Sequence, residues 1–213
     1  MKRQIAVLLS AALAMAVPGL ASAHAERATA TPASATLVQT QAALRDLWLG
    51  HVFWVRNVVD ARFEGNANEA KAAEQQVVAN ARAIADSIEP FYGKAASDKL
   101  FGLLAGHWGA ISDYLDATRA GSKAGQDAAF KQLLANADEI SAFLGGANPY
   151  LPVDVLRGLL TAHGSHHVQQ IQQFKAGQFD LEAQTWAAMK DHMYVISDAL
   201  AGGIAKQFPE KFR

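Results

Sequence analysis

The chain has 213 residues, no cysteine, 19 lysines and arginines against 20 aspartates and glutamates, and seven histidines. Lack of cysteine excludes a disulfide framework, thiolate metal ligands, a lipid-modified cysteine and covalently attached haem. Near-neutral charge with scattered basic residues offers no electrostatic footing for nucleic acid, while the length suits one domain with its own apolar core.

Lys2 and Arg3, the apolar run Ile5 to Val17, Pro18 and the small-residue ending Ala21-Ser22-Ala23 read as a secretory signal over 1–23. The run is shorter than the ~20 apolar residues that a transmembrane helix needs, and no later segment approaches that length. A periplasmic or secreted protein is expected, with cleavage after Ala23. Residues 24–36, rich in Ala, Thr, Pro and Ser, read as a flexible lead-in. The folded domain is expected over 37–213.

From Gln39 to Phe63, the positions Leu44, Trp48, His51, Val55 and Val58 follow the 4-3-4-3 spacing of a helix seam. Gly65 ends that helix, and Asn66 or Asn68 can cap the next. Glu69 to Ile88 predicts a more polar helix with Val77, Ile84 and Ile88 inward, closed by Pro90. Ser97 or Asp98 is expected to cap a third helix, whose seam is Leu100, Leu104, His107, Ile111 and Tyr114.

Ser122 caps a fourth helix with Phe130, Leu133, Leu134, Ile140 and Leu144 apolar, and Gly145-Gly146 is expected to end it. Pro152 suits the first turn of a fifth, whose stripe is Leu156, Leu160, His163, His167, Ile171 and Phe174. A sixth runs from about Leu181 to Ile204, weakened at its end by Gly202-Gly203, and the tail Gln207 to Phe212 is expected to fold back. Two-residue alternation is missing. The fold class is all-α, a bundle of about six helices with an internal helix-hairpin repeat.

That repeat has an offset of 56: Val77-Val78-Ala79-Asn80-Ala81 matches Leu133-Leu134-Ala135-Asn136-Ala137, and Leu103-Leu104-Ala105-Gly106-His107 matches Leu159-Leu160-Thr161-Ala162-His163. In the last helix, His192-x-x-x-Ile196-Ser197-Asp198 resembles His107-x-x-x-Ile111-Ser112-Asp113. On that alignment His51, His107, His163 and His192 share one seam position.

Imidazole binds zinc, copper, iron and nickel, and helical bundles build metal sites from inward side chains. The candidate ligands are therefore His51, His107, His163, His167 and His192, since His163 and His167, four apart, can face one ion. Candidates for supporting positions are His166, Asp60, Asp113, Asp191, Asp198 and Arg56. Three readings stand: a transition-metal site for holding or sensing an ion; a buried histidine hydrogen-bond layer in a module that binds a small ligand or an envelope protein; and a haem or non-haem iron protein of the envelope. No Glu-x-x-His pair, His-Glu-x-x-His motif, phosphate loop or nucleophile elbow is present, and no catalytic residue is assigned.

His51-Val52-Phe53-Trp54-Val55-Arg56, Asn136-Ala137-Asp138-Glu139-Ile140, Asn148-Pro149-Tyr150 and Gln207-Phe208-Pro209-Glu210-Lys211-Phe212 carry a family resemblance. From about residue 40 onward the chain resembles a family of short all-helical bacterial proteins, common in Bacillus-type genomes and sometimes labelled acetylglutamate kinase. The resemblance implies a helical fold and no defined activity, and the kinase label finds no nucleotide motif here. Relatives carry Glu before the matching histidines, where this chain has Gly50 and Gly106.

Overall fold

Six long helices and one short one account for nearly all of the residues that the computed structural model describes, 34–213, and no strand occurs among them. The expected signal at 1–23, and the lead-in up to residue 33, lie outside the described residues. The long helices are α1 (Ala35–Glu64), α2 (Ala67–Asp86), α4 (Lys94–Arg119), α5 (Lys123–Ala147), α6 (Val153–Ala176) and α7 (Phe179–Gln207), with α3 (Glu89–Tyr92) a single turn between α2 and α4.

Local chemistry sets most of the boundaries. The Ser34 hydroxyl accepts from Leu37 N–H at 3.2 Å, so α1 starts four residues before the expected Gln39. Gly65 ends it at φ 76°, in the left-handed region that favours glycine. Asn66 then caps α2, its Oδ1 accepting from Glu69 N–H while its Nδ2 donates to the Glu69 carboxylate, a reciprocal arrangement that satisfies two donors at once. Ser122 caps α5 by accepting from Gly125 N–H.

The expected cap at Ser97 or Asp98 is not one, because α4 begins earlier, after Gly93. Ser97 is buried and donates to Asp86 Oδ1 at 2.9 Å, while Asp98 pairs with Lys94 and Arg82. Gly145-Gly146 stands one residue before the end of α5 at Ala147, as expected to within that residue, and Gly202-Gly203 lies about one turn before the end of α7 at Gln207. A Cβ at Gly145 would lie 2.5 Å from Val153 Cγ2 and 2.9 Å from the Leu151 carbonyl oxygen, and one at Gly203 would lie 2.6 Å from Leu151 Cδ2. These glycines let Leu151 press against two helix backbones that continue past them.

The 56-residue repeat occurs three times. Each hairpin pairs an inner helix with an outer one: α1 with α2, α4 with α5, α6 with α7. Each outer helix then packs on the next inner one, α2 on α4, α5 on α6 and α7 on α1, which closes the ring. Buried positions agree across the three units: Leu44, Leu100 and Leu156, then His51, His107 and His163, on the inner helices; Val77, Leu133 and Met189, then Ile84, Ile140 and Ile196, on the outer ones.

This register corrects the sequence alignment of the last helix. Because α7 is the third outer helix, His192 is the counterpart of Asn80 and Asn136, not of His51, His107 and His163.

The core divides into two large apolar clusters. One contains Leu44, Trp48, Leu100, Leu104, Leu156, Met189, Met193 and Leu200; the other contains Val55, Val58, Ile111, Leu115, Leu133, Ile171 and Phe174. Between Trp48 and Val55 on α1, and between Leu104 and Ile111 on α4, a single turn carries the histidine. The tail folds back as expected, with Phe208 and Phe212 on Phe91, ring centroids 5.5 and 5.8 Å away.

Candidate metal centre

An inner helix with an apolar stripe must present to the ring axis whatever the stripe contains. One turn of that stripe is histidine in all three units, so His51, His107 and His163 meet at the centre. Their ring centroids are 5.9, 5.5 and 5.3 Å apart, a nearly equilateral triangle. His167 lies one helical turn further along α6, at the position held by Val55 in the first unit and Ile111 in the second. Its ring is 5.6, 6.2 and 4.5 Å from those of His51, His107 and His163, which makes it the apex of a distorted tetrahedron.

Each of the four offers a ring nitrogen, and these four atoms all lie within 4.8 Å of one another. Nitrogens bound to one zinc ion at 2.0–2.1 Å in tetrahedral geometry are roughly 3.4 Å apart, so side-chain adjustments of about 1 Å would close the group on an ion.

The rings are buried and nearly without partners. His51 Nε2, His107 Nε2, His163 Nδ1 and Nε2, and His167 Nε2 are buried atoms with no hydrogen bond. Among the described residues the only hydrogen bond made by any of the four rings joins His107 Nδ1 to Asn136 Oδ1, at 3.2 Å. A buried polar atom left without a partner costs about 1–3 kcal/mol, so four such rings weigh heavily on the ion-free fold. No two of the four rings hydrogen-bond each other.

Burial keeps all four rings neutral. It pushes the His51 imidazole down to about 3, helped by repulsion from His107. His107 is pushed down to about 4 by burial, against a smaller opposing contribution from its bond to Asn136. His163 and His167 are lowered well below the ordinary histidine value, first by burial and then by the neighbouring imidazoles. Neutral imidazole is the form that donates a lone pair to a metal.

The other expected site residues fall elsewhere. His192 is outside the group: its Nε2 donates to the Leu159 carbonyl at 2.8 Å, and its ring lies 5.6 Å from that of His166, which is half-buried on the flank of α6. The outer helix carries it there, as the repeat register requires.

None of the expected carboxylates joins the ligand group. Asp113 is exposed, Asp191 is exposed beside Lys190, Asp60 is half-buried near Arg56, and Asp198 is held by Arg45 through two hydrogen bonds of 2.8 and 2.5 Å.

Arg56 forms a two-pronged pair with Glu182, 2.7 and 2.6 Å, and Gln170 Nε2 donates to the same carboxylate at 2.8 Å. Glu182 was not among the sequence candidates. It stands 126 residues from its partner, a separation that no local pattern signals.

The four rings touch one another, which leaves no slot for a porphyrin between any two of them. The apolar cavity next to Trp48, lined also by Leu44, Ile84, Leu100 and Leu200, has a volume of about 30 Å³, against roughly 300–1,000 Å³ for small-molecule pockets. It is an imperfection of packing at this size. No helix among the described residues is long and apolar enough to cross a membrane.

No known protein family, curated protein or solved structure matches this chain. The three-hairpin ring with a four-histidine centre is therefore the description on which a functional reading has to rest.

Proposed function

We propose that the protein binds one transition-metal ion through His51, His107, His163 and His167, and that it holds or senses the ion rather than turning over a substrate. The observation that carries this reading is the convergence of four buried, neutral imidazoles with ligand atoms within 4.8 Å of one another and a single hydrogen bond, from His107 to Asn136, made by any of the four rings. An ion would accept four lone pairs that the protein leaves unused.

The donor set narrows the ion. Four nitrogens without thiolate suit the zinc-to-copper range of metals, and a near-tetrahedral cage favours zinc over ions that prefer a square plane. With four protein ligands the coordination sphere of a zinc ion is complete, as in structural sites, whereas catalytic sites keep one position open. That supports holding over catalysis.

Export is part of the same proposal, supported by the Lys2-Arg3 start, the apolar run and the Ala21-Ser22-Ala23 ending. Membership of the short helical family suggested by the sequence belongs to it too.

Elemental analysis of untagged mature protein, followed by titration of metal-stripped protein with Zn²⁺, tests the site. One ion per chain, lost in His163→Ala, is the expected result. Protein that purifies without metal and shows no affinity for Zn²⁺, Cu⁺ or Ni²⁺ would favour the buried histidine layer instead.

A further inference from the structure

Behind three of the four rings, a second set of side chains repeats with the same register. Asn80 Nδ2 donates to the Leu47 carbonyl at 3.0 Å, Asn136 Nδ2 to the Leu103 carbonyl at 2.9 Å, and His192 Nε2 to the Leu159 carbonyl at 2.8 Å. Each bond spans 33 residues, from an outer helix to the inner helix of its own hairpin. The acceptor in each case lies four residues before the histidine that faces the axis.

In the second unit the logic is complete. The Asn136 amide nitrogen is committed to a carbonyl, which can only accept, so Oδ1 is the atom turned toward His107. An amide oxygen can only accept, so His107 Nδ1 carries the proton and its buried Nε2 keeps a bare lone pair. This is the arrangement in which a metal-binding imidazole donates its other N–H to a supporting acceptor.

We infer that Asn80, Asn136 and His192 are positioning residues for His51, His107 and His163, each pinned by a backbone carbonyl so that its remaining acceptor sets the tautomer and tilt of the ring in front. The inference rests on the metal reading above. In the first unit Asn80 Oδ1 is a buried oxygen with no donor, the counterpart of the atom that faces His107 in the second unit. In the third unit His163 Nδ1 is the buried atom without a partner.

His192 replaces asparagine there, and the replacement is chemically conservative. In an amide the donor and acceptor flank one carbon; in a neutral imidazole Nε2 and Nδ1 also flank one carbon. With Nε2–H on the Leu159 carbonyl, His192 Nδ1 is left as the acceptor, as Oδ1 is in the asparagines. His192 is close enough to His163 for a charge on it to disfavour protonation of His163.

Glycines make room for two of the amides. A Cβ at Gly50 would stand 2.9 Å from Asn80 Nδ2, and one at Gly106 would stand 3.3 Å from Asn136 Nδ2.

The test uses the mature chain with Co²⁺ as probe, reading affinity by titration, ligand set by the visible ligand-field spectrum, and the imidazole N–H protons by paramagnetic NMR. Asn136→Ala and His192→Ala are expected to weaken Co²⁺ binding about 10- to 100-fold with the four-nitrogen spectrum retained, and Asn136→Ala to lose one slowly exchanging N–H signal. His192→Asn, which restores the residue of the other two units, is expected to recover most of the affinity. Should Asn136→Ala fail to fold, Gly50→Ala displaces Asn80 and is expected to act in the same direction.

Alanine variants that bind Co²⁺ as tightly as the wild type, with N–H signals unchanged, would overturn the inference alone. So would a His192→Asn protein as weak as His192→Ala with an altered spectrum, since His192 would then be a ligand. Wild-type protein with no affinity for Co²⁺ or Zn²⁺ would remove the metal reading and this inference together.

Discussion

His163 and His167 meet edge to face with ring centroids 4.5 Å apart, yet only His163 has counterparts in the other two repeats. The first unit has Val55 where His167 stands, and the second has Ile111, both fully buried. The ring of three imidazoles follows from the repeat; the fourth is a departure from it that converts a triangle of donors into a tetrahedral cage.

Reversing that departure separates stability from binding. His167→Val removes a buried polar ring from a position where the fold already accommodates Val and Ile, and is expected to raise the stability of metal-free protein by about 1–3 kcal/mol. The same change leaves three ligands and weakens Zn²⁺ binding. Urea denaturation of stripped protein, paired with metal titration, checks both; a destabilised variant that still binds Zn²⁺ at wild-type strength contradicts the assignment of His167.

Acid should unfold the metal-free protein early. The folded-state values of His51 and His107 are depressed to about 3 and about 4, while the unfolded chain titrates near 6.5. Above 6.5 the rings are neutral in both states and pH has no effect through them. Below it the unfolded chain takes up protons that the folded chain refuses, so stability falls with pH until the folded values are reached. Each ring contributes about 1.4 kcal/mol per pH unit in that window, and four contribute roughly 5. Circular dichroism against pH should show loss of helix between 6.5 and about 4, shifted to higher pH than in His167→Val. In the loaded protein, metal release and unfolding should coincide on acidification, because the folded rings have little affinity for protons in that range.

The two halves of the buried ion pair should differ when removed singly. Glu182 is 1 % exposed, whereas the Arg56 side chain retains 33 % of its surface. Arg56→Met strands a buried carboxylate with only Gln170 to answer it and is expected to cost about 3 kcal/mol or more. Glu182→Gln leaves an arginine that can turn to water and keeps a hydrogen-bonding amide, for a cost nearer 1 kcal/mol. Thermal melts of the two variants should fall in that order; a reversed order would mean that the carboxylate reaches solvent more easily than its burial indicates.

Two helical glycines should respond with opposite sign. Gly145→Ala drives a methyl group against the Leu151 carbonyl oxygen, backbone that cannot turn aside, and is expected to destabilise by about 1–3 kcal/mol. Gly158→Ala on α6 meets nothing within 4 Å and should stabilise by up to about 1 kcal/mol, since alanine restricts the unfolded chain and favours helix. Melting temperatures of the single variants settle the comparison.

The inner helices were legible because their stripe has the period of a helix and because His51, His107 and His163 recur with the same spacing and the same apolar neighbours. Ser122 and Asn66 announced their helix starts through side chains that bond backbone donors locally. His192 is the exception, because its local match to His107 through Ile and Ser-Asp imitates an alignment that the 56-residue offset does not support. Its proper partner was in plain sight: Asn136-x-x-x-Ile140-Ser141 lies 56 residues before His192-x-x-x-Ile196-Ser197, the same offset that relates the other units.

Gly145 and Gly203 have a second role that the sequence pattern does not mark. A glycine near a helix end signals either a stop or a close neighbour, and only the three-dimensional approach of Leu151 distinguishes them. Glu182 carried no local mark, since its partner Arg56 comes from a helix far away in the chain. Packing between distant segments is what one-dimensional pattern leaves out.

Closure of the ring, with α7 seated on α1, gives the centre a further property. The ligands come from all three hairpins, one each from the first two and a pair from the third, so no hairpin can swing away without breaking coordination. A captured ion would act as a bolt through the whole barrel, and the slowest-exchanging amides in its presence should lie on α1, α4 and α6 together rather than in any one unit.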